Sequence, residues 1–406
     1  MFKKLSVILG MLVTVFIGFG LIIPVLPLMV KQVGASPVQL GVMLAVYSAV
    51  AFITAPLWGH LSDRVGRKPV LITGLIGFAF GFLLFGLAQH ILWLMYAARV
   101  ISGGFSGAVT ATAMAYIAEI TTVEERTHGM AFAGAAIGLG FIIGPGVGGL
   151  LSRYGLSVPF FVASALALAN ALWGALVLRE SRGAEQGEPN PATGPSSGQS
   201  RFITSQWIAF SGSLKYLYLV GFVGQFAVTS LEGTFQYFEM QRIGASAAQI
   251  GGMFVISGLV AALVQGGVIP RYVKHGKELP ALYAGLVISG IGLFLVLVST
   301  NFWTAAAFIT IFSVGNTVLR APLSSLISKR TTVGLGLANG LLTSLDNLAR
   351  IVGPLLATAL FVFHPDLPYA TAGVVTFAAT ALTAAYHRAS KLESAAPLTS
   401  SQGRRA

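Results

Sequence analysis

The chain has 406 residues, of which 55% are hydrophobic and only 9% charged. That apolar share exceeds what a soluble core of this size needs, which excludes an ordinary water-soluble enzyme and indicates a polytopic membrane protein. A net charge of +12 would suggest nucleic-acid binding in a soluble chain, but the bases fall mostly in short loops between apolar runs, and the absence of cysteine excludes disulfides, thiolate metal sites and cysteine nucleophiles.

In chain order, apolar runs predict spans 1 to 6 at about 5–30, 38–58, 70–88, 91–117, 128–151 and 157–178. Spans 7 to 12 follow at about 215–238, 246–269, 280–299, 302–328, 335–361 and 368–387. Runs of this length cross roughly 30 Å of hydrocarbon as helices, and they lack the alternation of barrel strands. The expected fold is an all-α bundle of twelve transmembrane helices. The first run, behind Lys3 and Lys4, is long and lacks a small-x-small cleavage site, so it reads as a span and not as a signal peptide.

Twelve spans place both termini on one side. That side receives Lys3, Lys4, Arg64, Arg67, Lys68, Arg126, Arg179, Arg182, Arg201 and most later bases, against Lys31, Arg153 and Arg242 opposite. The asymmetry predicts cytoplasmic termini.

"RESRGAEQGEPNPATGPSSGQSR", Arg179 to Arg201, is rich in Gly, Pro, Ser and Glu and reads as a flexible linker. The expected organisation is a six-helix bundle over 1–178, a cytoplasmic linker over 179–206, a second six-helix bundle over 207–388 and a disordered cytoplasmic tail over 389–406. Repetition supports duplicated halves: Gly144-Pro145 recurs as Gly353-Pro354, and Gly59 has a counterpart in Gly267 at nearly the same offset.

Few ionisable groups lie well inside spans: Arg99, Glu232, Arg320, Asp346 and Arg350. Each costs about 2.5–3.5 kcal/mol on insertion scales, so each is expected to face a cavity or a partner. In span 7, Gln225, Thr229, Glu232 and Gln236 fall at intervals of four, three and four among Phe222, Phe226, Phe235 and Tyr237. A desolvated carboxylate on such a face suits proton exchange or cation binding, with a structural pair across the bundle as the alternative. Span 11 repeats the intervals with Asn339, Thr343, Asp346 and Arg350. There Asp346 is either neutralised by Arg350 one turn on or a proton or substrate site of its own. Arg99 shares a face with Gly103, Ser106 and Thr110, where it either relays charge or bonds to helix carbonyls. The six histidines have no ligand-like spacing and no P-loop occurs, so neither metal nor nucleotide cofactor is expected.

Four further stretches carry a resemblance. "GHLSDRVGRKP" runs from Gly59 to Pro69 and "IGFGLIIPVLP" from Ile17 to Pro27; Arg99 precedes Gly103, and "GLGFIIGPGVGG" runs from Gly138 to Gly149. Together they resemble the major facilitator superfamily, and within it the twelve-helix drug:proton antiporters that include bacterial multidrug, quinolone and tetracycline exporters. In the fourth-helix pattern Met95 and Ser102 replace the usual Leu and Gln.

The resemblance implies two pseudo-symmetric six-helix bundles and a cytoplasmic latch. The latch would comprise Gly59, Asp63, Arg64, Gly66 and Arg67, with Glu119 joining the charges and Asp63 facing the start of span 11 near Leu335. A purely topogenic loop is the alternative, although topology alone does not require the acid. Gly140, Gly144, Pro145, Gly148 and Gly149 match the antiporter helix, and their small-residue face is equally a packing stripe. In span 10, Asn316 stands where close relatives often carry an acid, and the first helix lacks the Asp of tetracycline exporters. Proton chemistry must therefore lean on Glu232 and Asp346.

The expected cavity set is Glu232, Asp346, Arg99, Gln225, Gln236, Asn316, Arg320, Arg350, Phe226, Phe235 and Tyr237. The expected function is proton-coupled export of amphipathic small molecules from the inner membrane, as a monomer, in the manner of multidrug efflux. A dedicated exporter of one metallophore, siderophore or sugar is the second reading, in which the three arginines read anionic or hydroxyl groups. A non-transporting sensor is the third. Enzyme chemistry is not expected, and the partners are substrate, protons and lipid.

Overall fold

The computed structural model describes residues 2–178, 180–181, 210, 212–272, 277–331 and 335–395. Among them, twelve helices are long and apolar enough to cross a membrane. Spans 1 to 6 are Leu5–Gln32, Pro37–Val65, Arg67–Leu87, Leu92–Ile120, His128–Tyr154 and Val158–Val177. Spans 7 to 12 are Leu214–Ile243, Ala247–Arg271, Glu278–Val296, Phe302–Arg330, Leu337–Phe363 and Leu367–Leu392. The predicted linker lies outside the described residues except for Glu180 and Ser181. The last helix continues to Ala395, so the first residues of the expected tail are helical.

Helix ends explain where hydropathy stopped short. The helix of span 2 contains 29 residues and runs to Val65, well past the predicted 58. At about 1.5 Å per residue such a helix outreaches a hydrocarbon core of about 30 Å, so its charged last turns stand in the interface. Span 1 is interrupted: a helix ends at Ile22 and another starts at Leu26, around Pro24 and Pro27, which lack the amide hydrogens a continuous helix requires. Spans 2 and 8 start alike. Ser36 with Gln39, and Ser246 with Gln249, close reciprocal capping boxes.

The two halves pack by one scheme. Span 1 lies on spans 5 and 6 as span 7 lies on spans 11 and 12; spans 2 and 3 pack on span 4 as spans 8 and 9 pack on span 10. Span 3 meets span 6 as span 9 meets span 12. The principal contacts between halves form a symmetric couple, span 2 with span 11 and span 5 with span 8.

The Gly-Pro repeats sit at those contacts. A Cβ added to Gly144 would lie 2.6 Å from Gly20 Cα, and one added to Gly148 2.6 Å from the Leu21 carbonyl carbon, so glycine lets span 5 press on span 1. The adjacent face meets span 8, where a Cβ on Gly149 would fall 2.9 Å from Ala248 Cα. Span 11 does the same through Pro354: its carbonyl oxygen would be 2.8 Å from a Cβ on Gly41 of span 2, and its Cα 3.4 Å from one on Gly233 of span 7.

The couple is closed at one end only. Gly41, Gly149 and Thr358 belong to the end remote from the 59–69 segment, where backbones touch. At the basic end, added Cβ atoms on Gly59, Gly134, Gly138, Gly266, Gly267 and Gly340 would meet nothing within 4 Å. The halves therefore splay toward the basic end and close at the far end.

Candidate functional site: a central two-chambered cavity

Between the halves lies a cavity of about 490 Å³. Spans 1 to 5 supply its aromatic wall: Phe16, Phe19, Tyr47, Phe78 and Phe141, with Arg99 as the one ionisable base among them. Spans 7 and 11 supply a polar wall of Thr229, Glu232, Thr343, Asp346, Asn347 and Arg350. A second chamber of about 310 Å³ adjoins it, lined by Gln225, Phe254, Ser257, Ser313, Asn316 and Thr317. Glu232 and Arg350 line both chambers.

The charges are not equally engaged. Asp346 does not pair with Arg350 one turn on; Arg320 of span 10 reaches it, with Nη1 at 3.0 and 2.9 Å from its two oxygens. Arg320 also donates to Gln225 Oε1. This binds spans 7, 10 and 11 and neutralises Asp346. Asn316 donates to the Gly224 carbonyl at 3.2 Å, tying span 10 to span 7 again. Arg99 is buried with its guanidinium 5.6 Å from the Tyr47 ring centroid and 5.1 Å from that of Phe85. Those π faces offset part of its desolvation, yet its Nε has no hydrogen-bond partner among the described residues. Glu232 has no base within ion-pair distance among the described residues, and Arg350 is the charge nearest in influence.

Several expected cavity residues stand elsewhere. Phe226, Phe235 and Tyr237 are buried flanks of the span 7 stripe and line neither chamber. Phe235 packs edge-on against Phe254, and Tyr237 donates to the Pro27 carbonyl at 3.1 Å. Gln236 donates to the Ile23 carbonyl and holds span 7 to the break in span 1. Arg320 is drawn out of the cavity wall by Asp346 and Gln225.

At the basic end, Arg67 organises the segment expected to be a latch. Its Nη2 lies 2.6 Å from Asp63 and 2.7 Å from Glu119, and its Nη1 donates to Ser62 at 2.5 Å. Asp63 makes its ion pair within this segment and, among the described residues, none with span 11. Arg64 is exposed. The sequence reading missed Glu180, whose carboxylate accepts from the Arg67 and Lys68 amides at 2.7 and 3.1 Å and so caps span 3. Gly66 is required there: its φ is +110°, and a Cβ would fall 2.6 Å from that carboxylate. Ser181 then donates to Glu119 at 2.6 Å. The signal in the sequence was an acid directly after span 6, hidden by the charged, Gly- and Pro-rich sequence that follows it.

Comparison with known proteins gives these features a setting. A family profile described as Major Facilitator Superfamily matches residues 8–333 and 273–405. Multidrug resistance protein 2 of Bacillus subtilis (strain 168) is 30% identical over 377 residues, 93% of each chain. Tetracycline resistance protein, class E, of Escherichia coli is 33% identical over 348 residues, 85% of this chain and 84% of the relative. Quinolone resistance protein NorA of Staphylococcus aureus (strain COL) is 25% identical over 374 residues, 92% of this chain and 94% of the relative. Among solved structures, the human organic anion transporter MFSD10 (TETRAN) superposes with a TM-score of 0.69 at 24% identity, covering 94% of this chain and 99% of that one. A bacterial homologue of the human lysosomal transporter Spinster, inward-facing and occupied, also scores 0.69 at 16% identity, covering 95% and 96%.

Proposed function

The chain belongs to the major facilitator superfamily of membrane transporters, and from that premise we propose that it is a proton-coupled exporter of amphipathic small molecules, working as a multidrug efflux antiporter. The observation that carries this reading is Glu232: a carboxylate without an ion-pair partner among the described residues, placed where both chambers meet and opposite an aromatic wall. Such a group exchanges a proton or a cationic cargo, while the rings hold the apolar body of the substrate. The relatives' names, multidrug, tetracycline and quinolone resistance proteins, agree with it.

The bias of Lys and Arg supports a cytoplasmic basic end and cytoplasmic termini in a plasma-membrane protein. The described conformation is then inward-facing. Substrate enters from the cytoplasm, and rocking about the span 5 to span 8 and span 2 to span 11 contacts exposes it outside. Protonation of Glu232 favours one orientation and bound substrate the other, so each displaces the other across the cycle. Asp63, freed from Arg67, reaches span 11 when the basic ends close and latches the outward-facing state.

A second reading has one observation in its favour. Arg99 lines the cavity without an ion-pair partner among the described residues, which suits a dedicated substrate with an anionic or hydroxyl group. Proteoliposomes with an imposed pH gradient and a panel of lipophilic dyes separate the readings. Broad dye extrusion that stops when the gradient is dissipated supports the multidrug antiporter; no dye movement under any gradient refutes it.

A further inference from the structure

Span 7 carries a second buried acid that the cycle above does not use. Glu239 lies seven residues beyond Glu232, so it extends the stripe of Gln225, Thr229, Glu232 and Gln236 by a further interval of three, about 10 Å along the helix toward the far end. It is fully buried. Its carboxyl oxygens meet one donor among the described residues, the Ser299 hydroxyl, at 2.9 and 3.1 Å.

One hydroxyl hydrogen is a poor complement for a carboxylate with about four lone-pair sites. A structural acid at membrane depth is normally held by an arginine or lysine. Arg242, one turn on, is close enough for its charge to act on Glu239 but makes no ion pair with it among the described residues: its Nε donates to the Ser299 carbonyl at 2.8 Å and its Nη1 lies 3.9 Å from Asp366. The other titratable groups near Glu239 are Asp366 and Tyr369, with His364 beside Asp366. The Ser299 that reaches it belongs to the uncharged turn between spans 9 and 10, which end at Val296 and begin at Phe302.

Between the two acids sits Gln236, one turn from each. Its amide nitrogen is engaged by Ile23, but its Oε1 is buried and has no hydrogen-bond partner among the described residues. A buried acceptor left open costs stability unless something visits it. An open acceptor between two acids on one helix face fits a transient proton carrier such as water.

We propose that Glu239 is the proton-loading group of the far end, taking a proton from outside and passing it along the Gln236 face to Glu232. The transfer balances: the Glu239 carboxyl loses the proton, the Glu232 carboxylate gains it, and water admitted when the far-end contacts part carries it between them. The inference rests on the reading of Glu232 as the coupling acid.

The test uses the full chain in proteoliposomes with ethidium as the probe. Glu239→Gln keeps the shape and the Ser299 contact; it should cut gradient-driven extrusion by about a hundredfold, the size of a lost positioned proton-transfer group. Ethidium exchange at equal pH should stay within about twofold of wild type, and Glu239→Asp should restore part of the driven rate. Undiminished driven extrusion, or equal loss of driven extrusion and exchange, overturns the proposal. Infrared difference spectra after an external pH jump need no substrate: a protonated-carboxyl band that vanishes in Glu239→Gln but persists in Glu232→Gln is expected. Its absence from the wild-type protein overturns the assignment. If ethidium is not moved at all, the exporter reading falls and the infrared band alone decides Glu239.

Discussion

The two walls of the cavity are built from different chemistry although the halves that supply them pack alike. The wall from spans 1 to 5 is aromatic with Arg99 its one ionisable base, whereas spans 7 and 11 bring Glu232, Asp346 and Arg350. The N-terminal half presents rings to the cavity, and the C-terminal half presents most of the charge. The same packing scheme thus carries different side chains at the cavity in the two halves.

The division can be broken first on the charged side. Arg320→Gln leaves Asp346 without its partner. Removing one member of a buried pair costs about 3–5 kcal/mol, but this pair is 27% and 23% exposed, so roughly half of that is expected. Thermal unfolding in detergent should show the loss, and the double variant with Asp346→Asn should recover most of it. Equal destabilisation by single and double variants would mean that the pair does not bind the helices together.

Next comes the aromatic side. Phe141 stands 5.3 and 5.5 Å from the ring centroids of Phe16 and Phe19. Phe141→Ala should weaken binding of a lipophilic dye by roughly tenfold, the scale of a lost apolar pocket contact, while leaving the dependence of extrusion on the pH gradient unchanged. A changed gradient dependence with intact binding would contradict the division.

The smallest effect is expected at the basic end, remote from both walls. Arg67→Gln removes ion pairs to Asp63, which is 58% exposed, and to Glu119, which is 33% exposed, so less than about 1 kcal/mol of stability should be lost. Dye binding should be unaltered. Crosslinking between cysteines placed at the basic ends of spans 2 and 11 should report a shifted population of closed states.

The sequence made the spans legible because twenty apolar residues have one stable form in lipid, and the Gly-Pro pairs because close approach needs missing side chains. The stripe of span 7 was legible for the same reason that it stopped early: polar residues stand out in an apolar helix, yet Glu239 lay beyond the predicted end at 238. Facing was harder. Phe16, Phe19, Tyr47, Phe78 and Phe141 went unmarked because lipid-facing and cavity-facing sides of these helices are both apolar, so periodicity is silent. Phe226, Phe235 and Tyr237 neighbour the stripe in sequence but turn toward other helices. Asp346 shows the limit most clearly. Helical spacing offered Arg350 as a partner on the same helix, while the residue that binds it comes from span 10, a relation that no single helix encodes.

The most direct test of the account is Glu232→Gln in proteoliposomes with an imposed pH gradient, followed by both dye extrusion and equilibrium dye binding. The account predicts that gradient-driven extrusion falls to the level of empty liposomes while binding persists. Undiminished gradient-driven extrusion would contradict it and remove Glu232 from the coupling mechanism.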